Sequence, residues 1–407
     1  MLGDSDLLRA LSLAGIPCAV MAAPGEPARY SRFARTVLDW ADAWERPDAL
    51  VDVLERFAAS QPSRPVLFYE ADHELLLISR CRERLRRHFD FVIPDATLVD
   101  DLVDKGRFQV LAKRLNLPVP PAQVLNPCSD PMPLDLQFPL ALKPLVRRAD
   151  QWMPIAHGAK ALRLDSPAAL ATLWPRLAKA GIAVVLQRLI PGSETKIESY
   201  HVYVDNRGDI AGEFTGQKIR TWPPAYGDST ALVITASPDV TDLGRDLVRR
   251  LGLRGVAKFD FKRAPDGRLY LFEVNPRFTL WHHLGARAGV NIPALVYADL
   301  VGLPRPSVAQ ARAGVRWCKP WDDAAAARAA GISFVKWLPW ALACEAKRAV
   351  AWDDPMPFIG AVMWRGKSRL AAAGAALLAA LGGYVFTFAV TIHTLFKCLS
   401  AVWLKRI

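Results

Sequence analysis

The stretch from Phe259 to Phe278, FDFKRAPDGRLYLFEVNPRF, constrains the fold more than any other part of the chain. Two runs of alternating apolar and polar residues flank Ala264-Pro265-Asp266-Gly267, and an Asp-Gly turn between such runs makes an antiparallel hairpin. With those four residues as the loop, Arg263 pairs with Arg268 and Asp260 falls opposite Leu271. Asp260 and Glu273 are then diagonal neighbours on one face, with Asn275 two residues further along it. A slip of one residue would split the set across both faces. Two carboxylates and an amide oxygen are hard ligands of the kind that hold Mg²⁺ or Mn²⁺ while leaving positions for phosphate oxygens. Arg277, just beyond, adds a fixed cation. A charged strand face followed by an Asn-Pro helix start fits the same residues.

The 407 residues, 52% of them hydrophobic, suffice for two or three domains. The opening MLGDSDLLRALSLAGIPCAVM lacks a basic n-region and is no secretion signal. It reads as a helix capped by Asp4 or Ser5, with Leu7, Leu8 and Leu11 on one stripe, Gly15 at its end and a strand after it. Strand signals at 65–70 and 89–94 bracket a helix from Asp72 to about Arg87. This alternation predicts a small α/β domain with a parallel sheet over 1–96. A helix beginning near Thr97 runs to the Pro-rich turn at 118–121.

Strands at 138–145 and 183–192 then bracket a helix over 166–179. A hairpin turns at Asp205 to Gly208, a helix opens at Ser237-Pro238, and the hairpin described first follows. Mixed antiparallel strands with helices laid on them predict an α+β unit over 97–306, and 307–365 reads as a mixed helical extension. Residues 370–396 contain no Asp, Glu, Lys or Arg, a run longer than the roughly 20 residues that cross a bilayer. Contact with a membrane through this segment of the 366–407 tail is therefore expected. The alternative is a pair of amphipathic helices broken at Gly382-Gly383.

A net charge of +12 invites a nucleic-acid reading, but the basic residues are scattered among acids and no nucleic-acid-binding spacing is present. The densest run, Arg80 to Arg87, reads as a solvated helix face. Six Cys without a CxxC pair fit reduced thiols, and the adjacent His282-His283 would point apart.

Two lysines carry the chemistry further. Lys105 stands at a helix start in VDKGRF, and Lys143 lies inside the apolar strand FPLALKPL, where an unpaired ammonium is costly and an anion such as a nucleotide phosphate would relieve it. In VVLQRLIPG, the backbone at Gln187, Arg188 and Leu189 is suited to reading an adenine edge beside an apolar wall.

In this order, Lys105, Lys143-Pro144, LQRLIPG, KFDF and LFEVNPR resemble the ATP-grasp superfamily over most of residues 1–305. The resemblance runs to the carboxylate–amine ligases related to biotin carboxylase and D-aspartate ligase. It implies a Rossmann-like pre-ATP-grasp domain, then a two-subdomain ATP-grasp fold. Lys105 and Lys143 would hold ATP phosphates, with Lys160 reaching them from a loop that departs from the family in carrying only Gly158. Gln187, Arg188 and Leu189 would form the adenine hinge, and Asp260, Glu273 and Asn275 would hold Mg²⁺. Arg277 would stabilise the transferring phosphoryl group, and Lys218 and Arg220 would face the substrate. The first strand of the family's opening domain is missing, with Gly3 where its glycine turn belongs; an upstream start or decay of the domain would explain this. The implied activity is an ATP- and Mg²⁺-dependent ligase joining a small-molecule carboxylate to an amine at the cytoplasmic membrane face, with a cell-envelope precursor as acceptor. A phosphotransferase and a non-catalytic nucleotide-binding membrane protein are the alternatives.

Overall fold

The computed structural model describes residues 1–132, 137–145, 149–156 and 159–364. The expected membrane segment at 370–396 lies outside them. Among the described residues no helix is long and apolar enough to cross a membrane.

The first sheet is built from short parallel pieces. Strands β1 (Cys18–Val20) and β2 (Ala34–Val37) pair in parallel. Leu2 bridges Met21 in parallel and donates its N–H to Phe68 O at 2.8 Å, so Met1-Leu2 lies between β1 and the 66–68 segment. Where the family's first strand is expected to be missing, the chain makes only this isolated bridge at Leu2. Gly3 follows at φ 152°, and Asp4 caps the helix Ser5–Leu13. The segments 65–70 and 89–94, expected as strands, are joined by a single parallel bridge, Val66 to Asp90. Two helices expected to be continuous are broken. One divides at Cys81 and the other at Asp104, whose carboxylate accepts from Arg107 N at 2.8 Å and starts a new helix at Lys105.

The second sheet contains β3 (Ala122–Leu125), β4 (Leu140–Pro144), β5 (Leu162–Leu164) and β6 (Val184–Arg188), in the antiparallel order β3-β6-β4-β5. Its core is covered by the helix Pro167–Lys179, which Ser166 caps.

The third sheet comprises β7 (Ile197–Val204), β8 (Ile210–Trp222), β9 (Asp228–Thr235), β10 (Gly255–Arg263), β11 (Leu269–Asn275), β12 (Arg316–Cys318) and β13 (Ala346–Lys347). Its order is β11-β10-β7-β8-β9-β12-β13. β12 and β13 come from the stretch read as a separate helical extension, and at three and two residues they are too short to leave an alternation in the sequence. β7 is buried along its whole length. The helix Pro238–Leu251 covers one face of this sheet, with Gly244 where a Cβ would lie 2.3 Å from Tyr200. The helices Trp281–Ala288 and Ile292–Val301 cover the other, in one apolar cluster with Leu7, Leu8 and Leu11 of the first helix.

Candidate active site

The hairpin β10–β11 sets the acidic half of the site. Arg263 pairs with Leu269, not Arg268, so the loop takes one more residue than the sequence implies. The register then shifts between Asp260 and Phe261, with Phe272 as the extra residue, and Asp260 lies directly opposite Glu273 instead of diagonal to it. Asn275 falls opposite Lys258, so the expected set still shares one face.

Asp260 is 4% exposed and accepts from Lys258 Nζ at 2.5 Å and Ser199 Oγ at 2.9 Å. Burial pushes its carboxyl up, but Lys258 and Lys218 beside it prevail and hold it below the usual carboxylate range. Glu273 stands opposite Asp260 and accepts from Asn275 Nδ2 at 3.1 Å.

The basic half comes from both sheets. Lys143 on β4 donates to Gln187 Oε1 at 3.0 Å and lies 5.2 Å from the centre of the Phe272 ring. Burial pushes its ammonium pKa down, while Glu273 across the cleft raises it. Lys105 donates to Leu145 O at 3.0 Å at the end of the same strand. Lys218 on β8 is lowered by burial, with Asp260, Lys258, Glu273 and Glu194 close enough to act on its charge. Lys143 of the second sheet thus faces carboxylates of the third, with Lys105 of the neighbouring helix beside it. This cleft, with its cations and its two opposed acids, is the candidate site.

Comparison with known proteins agrees with this geometry. A model of the family described as ATP-grasp in the biosynthetic pathway with Ter operon matches residues 209–319, which include β10 and β11. The D-aspartate ligase of Enterococcus faecium (strain Aus0004) is 22% identical over 289 residues, 68% of each chain. The family match and this relative support an ATP-grasp carboxylate–amine ligase group. The L-amino acid ligase from Bacillus licheniformis superposes with a TM-score of 0.57 at 16% identity, over 75% of this chain and 74% of that one. Biotin carboxylase from Campylobacter jejuni gives 0.59 at 13% identity, over 76% and 71%. N5-carboxyaminoimidazole synthetase from Staphylococcus aureus, complexed with ADP, gives 0.56 at 14% identity, over 75% and 77%.

Other expected site residues lie less simply than their sequence positions suggest. Gln187 is buried and holds Lys143. At the hinge, Arg188 N–H donates to Pro121 O at 2.9 Å and Leu189 N–H to Pro139 O at 3.1 Å, so both are committed within the protein. The Arg188 guanidinium donates to the Tyr270 hydroxyl at 3.0 Å, tying the second sheet to β11. Lys160 pairs with Asp228 at the start of β9. Arg277 donates to Asp72 at 2.5 Å, to Glu70 O at 2.7 Å and to Asn275 Oδ1 at 3.2 Å, joining the hairpin to the first sheet.

Arg220 is not brought to the cleft with Lys218. The strand register slips on both sides of it, between Lys218 and Arg220 and again before Thr221. Its guanidinium makes two bonds to Asp323, at 2.8 and 2.7 Å, and lies 4.1 Å from the Trp340 ring centre. Its guanidinium, expected to face the substrate, is instead taken up by the ion pair with the buried Asp323.

Sequence reasoning missed Lys258, Lys262, Ser199 and Glu194. Lys262 donates to Gly192 O at 2.8 Å and Ser193 O at 2.7 Å, and lies 3.9 Å from Glu194. The alternation that placed Asp260 would have found Lys258 and Lys262 on the same strand face.

Among the described residues, no three of His, Cys, Asp and Glu are gathered as a metal cluster. The donor set fits Mg²⁺ in part. Asp260 and Glu273 stand directly opposite each other on paired strands, an arrangement of two acids that a cation would stabilise. The Asn275 amide oxygen is turned to Arg277, so it reaches a metal only after the amide rotates.

Proposed function

We propose that the chain activates a small-molecule carboxylate as an acyl-phosphate, using ATP and Mg²⁺, for attack by an amine. The observation that carries this reading is the convergence of Lys143 and Lys218 from two sheets on the opposed carboxylates Asp260 and Glu273, with Lys105 beside Lys143. We further propose that 1–96 and 97–306 are its functional divisions. ATP-grasp enzymes use ATP and magnesium, and a bound magnesium ion would neutralise phosphate charge between the two acids.

The chain's own groups divide the work. Lys105 and Lys143 hold phosphate oxygens, while Lys218 takes the charge that builds on the transferring group. The substrate carboxylate oxygen attacks the γ-phosphorus, and the bond to the β–γ bridging oxygen breaks as ADP leaves. The amine lone pair then attacks the acyl carbon, inorganic phosphate departs with the C–O electron pair, and the amine's proton is lost to a base or to water. Hinge contacts to adenine in this conformation fall to backbone carbonyls and the apolar wall, since the N–H groups of Arg188 and Leu189 are committed.

The test is the purified chain with ATP, Mg²⁺, hydroxylamine and a panel of carboxylates that includes D-aspartate. Hydroxamate formation is the expected result. Phosphorylated product without hydroxamate would identify a phosphotransferase, and nucleotide binding without turnover on any carboxylate would overturn the enzymatic reading.

A further inference from the structure

The first sheet carries a cavity of about 380 Å³. It opens at the end of the parallel strand pieces, where Met1-Leu2 and Met21 give way to Gly3-Asp4 and Ala22-Ala23, and where α/β sheets characteristically take ligands. Leu2, Met21, Leu50 and Trp40 form an apolar wall, and Asp4, Glu26, Asp42, Glu70, His73 and Glu74 supply the polar groups. Neither Lys nor Arg is among the residues that line it. We propose that this cavity binds the amine substrate, and that it selects amines bearing positive charge and no free carboxylate. The assignment rests on the ligase reading for the amine's role in catalysis, but not for its binding.

Three observations converge on it. The size suits a molecule of amino-acid to dipeptide scale. The lining pairs an indole face, Trp40 at 37% exposure, with carboxylates, the combination that recognises ammonium groups. The cavity also adjoins the phosphoryl end of the cleft through direct contacts. Glu70 lends its carbonyl to Arg277 at 2.7 Å, Arg277 donates to Asn275 at 3.2 Å, and Asn275 donates to Glu273 at 3.1 Å. An amine held against Glu70 therefore stands one guanidinium away from the metal-side acids.

Most of the lining acids have structural duties that leave charge unspent. Asp42 accepts from Trp44 N and Glu45 N, and Glu74 accepts from Glu70 N and Ala71 N, in each case through one oxygen. Asp4 is neutralised by Arg348 from outside the cavity. Glu70 accepts from Asp4 N at 2.8 Å through Oε2. Burial first, and then the Asp4 charge, push its carboxyl up to about 8 against the opposing pull of Arg348. Gly3 packs against it so closely that a Cβ there would lie 2.9 Å from Oε2, which keeps the chain's start from filling the space.

The experiment titrates the full chain with putrescine, L-lysine amide, N-acetylputrescine and succinate by calorimetry, then measures amine KM with whichever carboxylate gives hydroxamate. The charged amines should bind, with N-acetylputrescine weaker and succinate silent. Glu70→Gln should weaken amine binding at least tenfold and raise amine KM to match, while MgATP still raises its melting temperature as in the parent. Should that variant lose the MgATP shift, Asp42→Asn, which keeps the turn's hydrogen bonds but not the charge, should weaken the amines at least threefold. Amine binding unmoved by both variants, or succinate binding as well as putrescine, overturns the proposal. If amines bind and respond to Glu70→Gln while no carboxylate ever yields hydroxamate, the cavity stands and the ligase reading falls.

Discussion

Replacing Arg220 by Met separates the role its sequence position suggests from the one its contacts show. Its guanidinium is 13% exposed and makes two charged hydrogen bonds to Asp323, which is fully buried and also accepts from Thr230 Oγ1 at 2.9 Å and Trp337 Nε1 at 2.8 Å. Arg220→Met leaves that carboxylate with two neutral donors and no cation. Removing one partner of a buried pair costs about 3–5 kcal/mol, and the stacking on Trp340 is lost with it. Asp323→Asn in the same background removes the stranded charge and keeps an oxygen for Trp337 Nε1, while the Thr230 hydroxyl accepts from the new amide. The double variant should therefore recover about half or more of the loss. The assay is a double-mutant cycle by urea denaturation, with coupling of roughly 2–3 kcal/mol expected. ATP affinity per folded molecule should be unchanged in all three variants. A single variant that folds as stably as the parent yet loses ligation would refute the structural role and restore Arg220 to the substrate.

Glu273→Gln should abolish the Mg²⁺-dependent part of the melting-temperature rise with ATP, leaving ATP without metal nearly as effective; differential scanning fluorimetry with and without chelator reads this out. Gly216→Ala should cost about 1–3 kcal/mol or more, since a Cβ there would lie 2.2 Å from the Trp281 ring and that ring is fully buried; chemical denaturation checks it. Nucleotide binding should take up protons, because burial lowers the pKa of Lys143, Lys218 and Lys262 and a phosphate beside them raises it again. Affinity then falls as pH rises through the lowered lysine values, and calorimetry in buffers of different ionisation enthalpy should show a buffer-dependent heat.

What the sequence disclosed followed its periodicities. Period-two alternation put Asp260, Glu273 and Asn275 on one face, and that held although the predicted loop length and diagonal pairing did not. The two errors compensate: one residue more in the turn and one in the bulge move β11 by a full side-chain period. Nothing local announces the bulge at Phe272, whose ring lies beneath the Lys143 ammonium from another sheet. Arg220, placed beside Lys218 by resemblance, would share its face only in an unbroken register, and β8 breaks twice. The split helices were closer to legible. Asp104 is a good capping residue inside an otherwise continuous apolar stripe, and its carboxylate decides the break.

The charge of the cleft gives the nucleotide reading an independent footing. Five lysines contribute, Lys105, Lys143, Lys218, Lys258 and Lys262, against three carboxylates, Asp260, Glu273 and Glu194. Fully ionised, they leave an excess of two positive charges. A chain that depended on this cluster for stability alone would balance it, because like charges under shared burial repel and shed protons. Burial is the first cause of the lowered ammonium values of Lys143, Lys218 and Lys262, and neighbouring lysines add to it. ATP with one magnesium ion carries two negative charges, which matches the excess in sign and size. That match, with lysines from two sheets meeting a pair of opposed acids, supports the proposed nucleotide site.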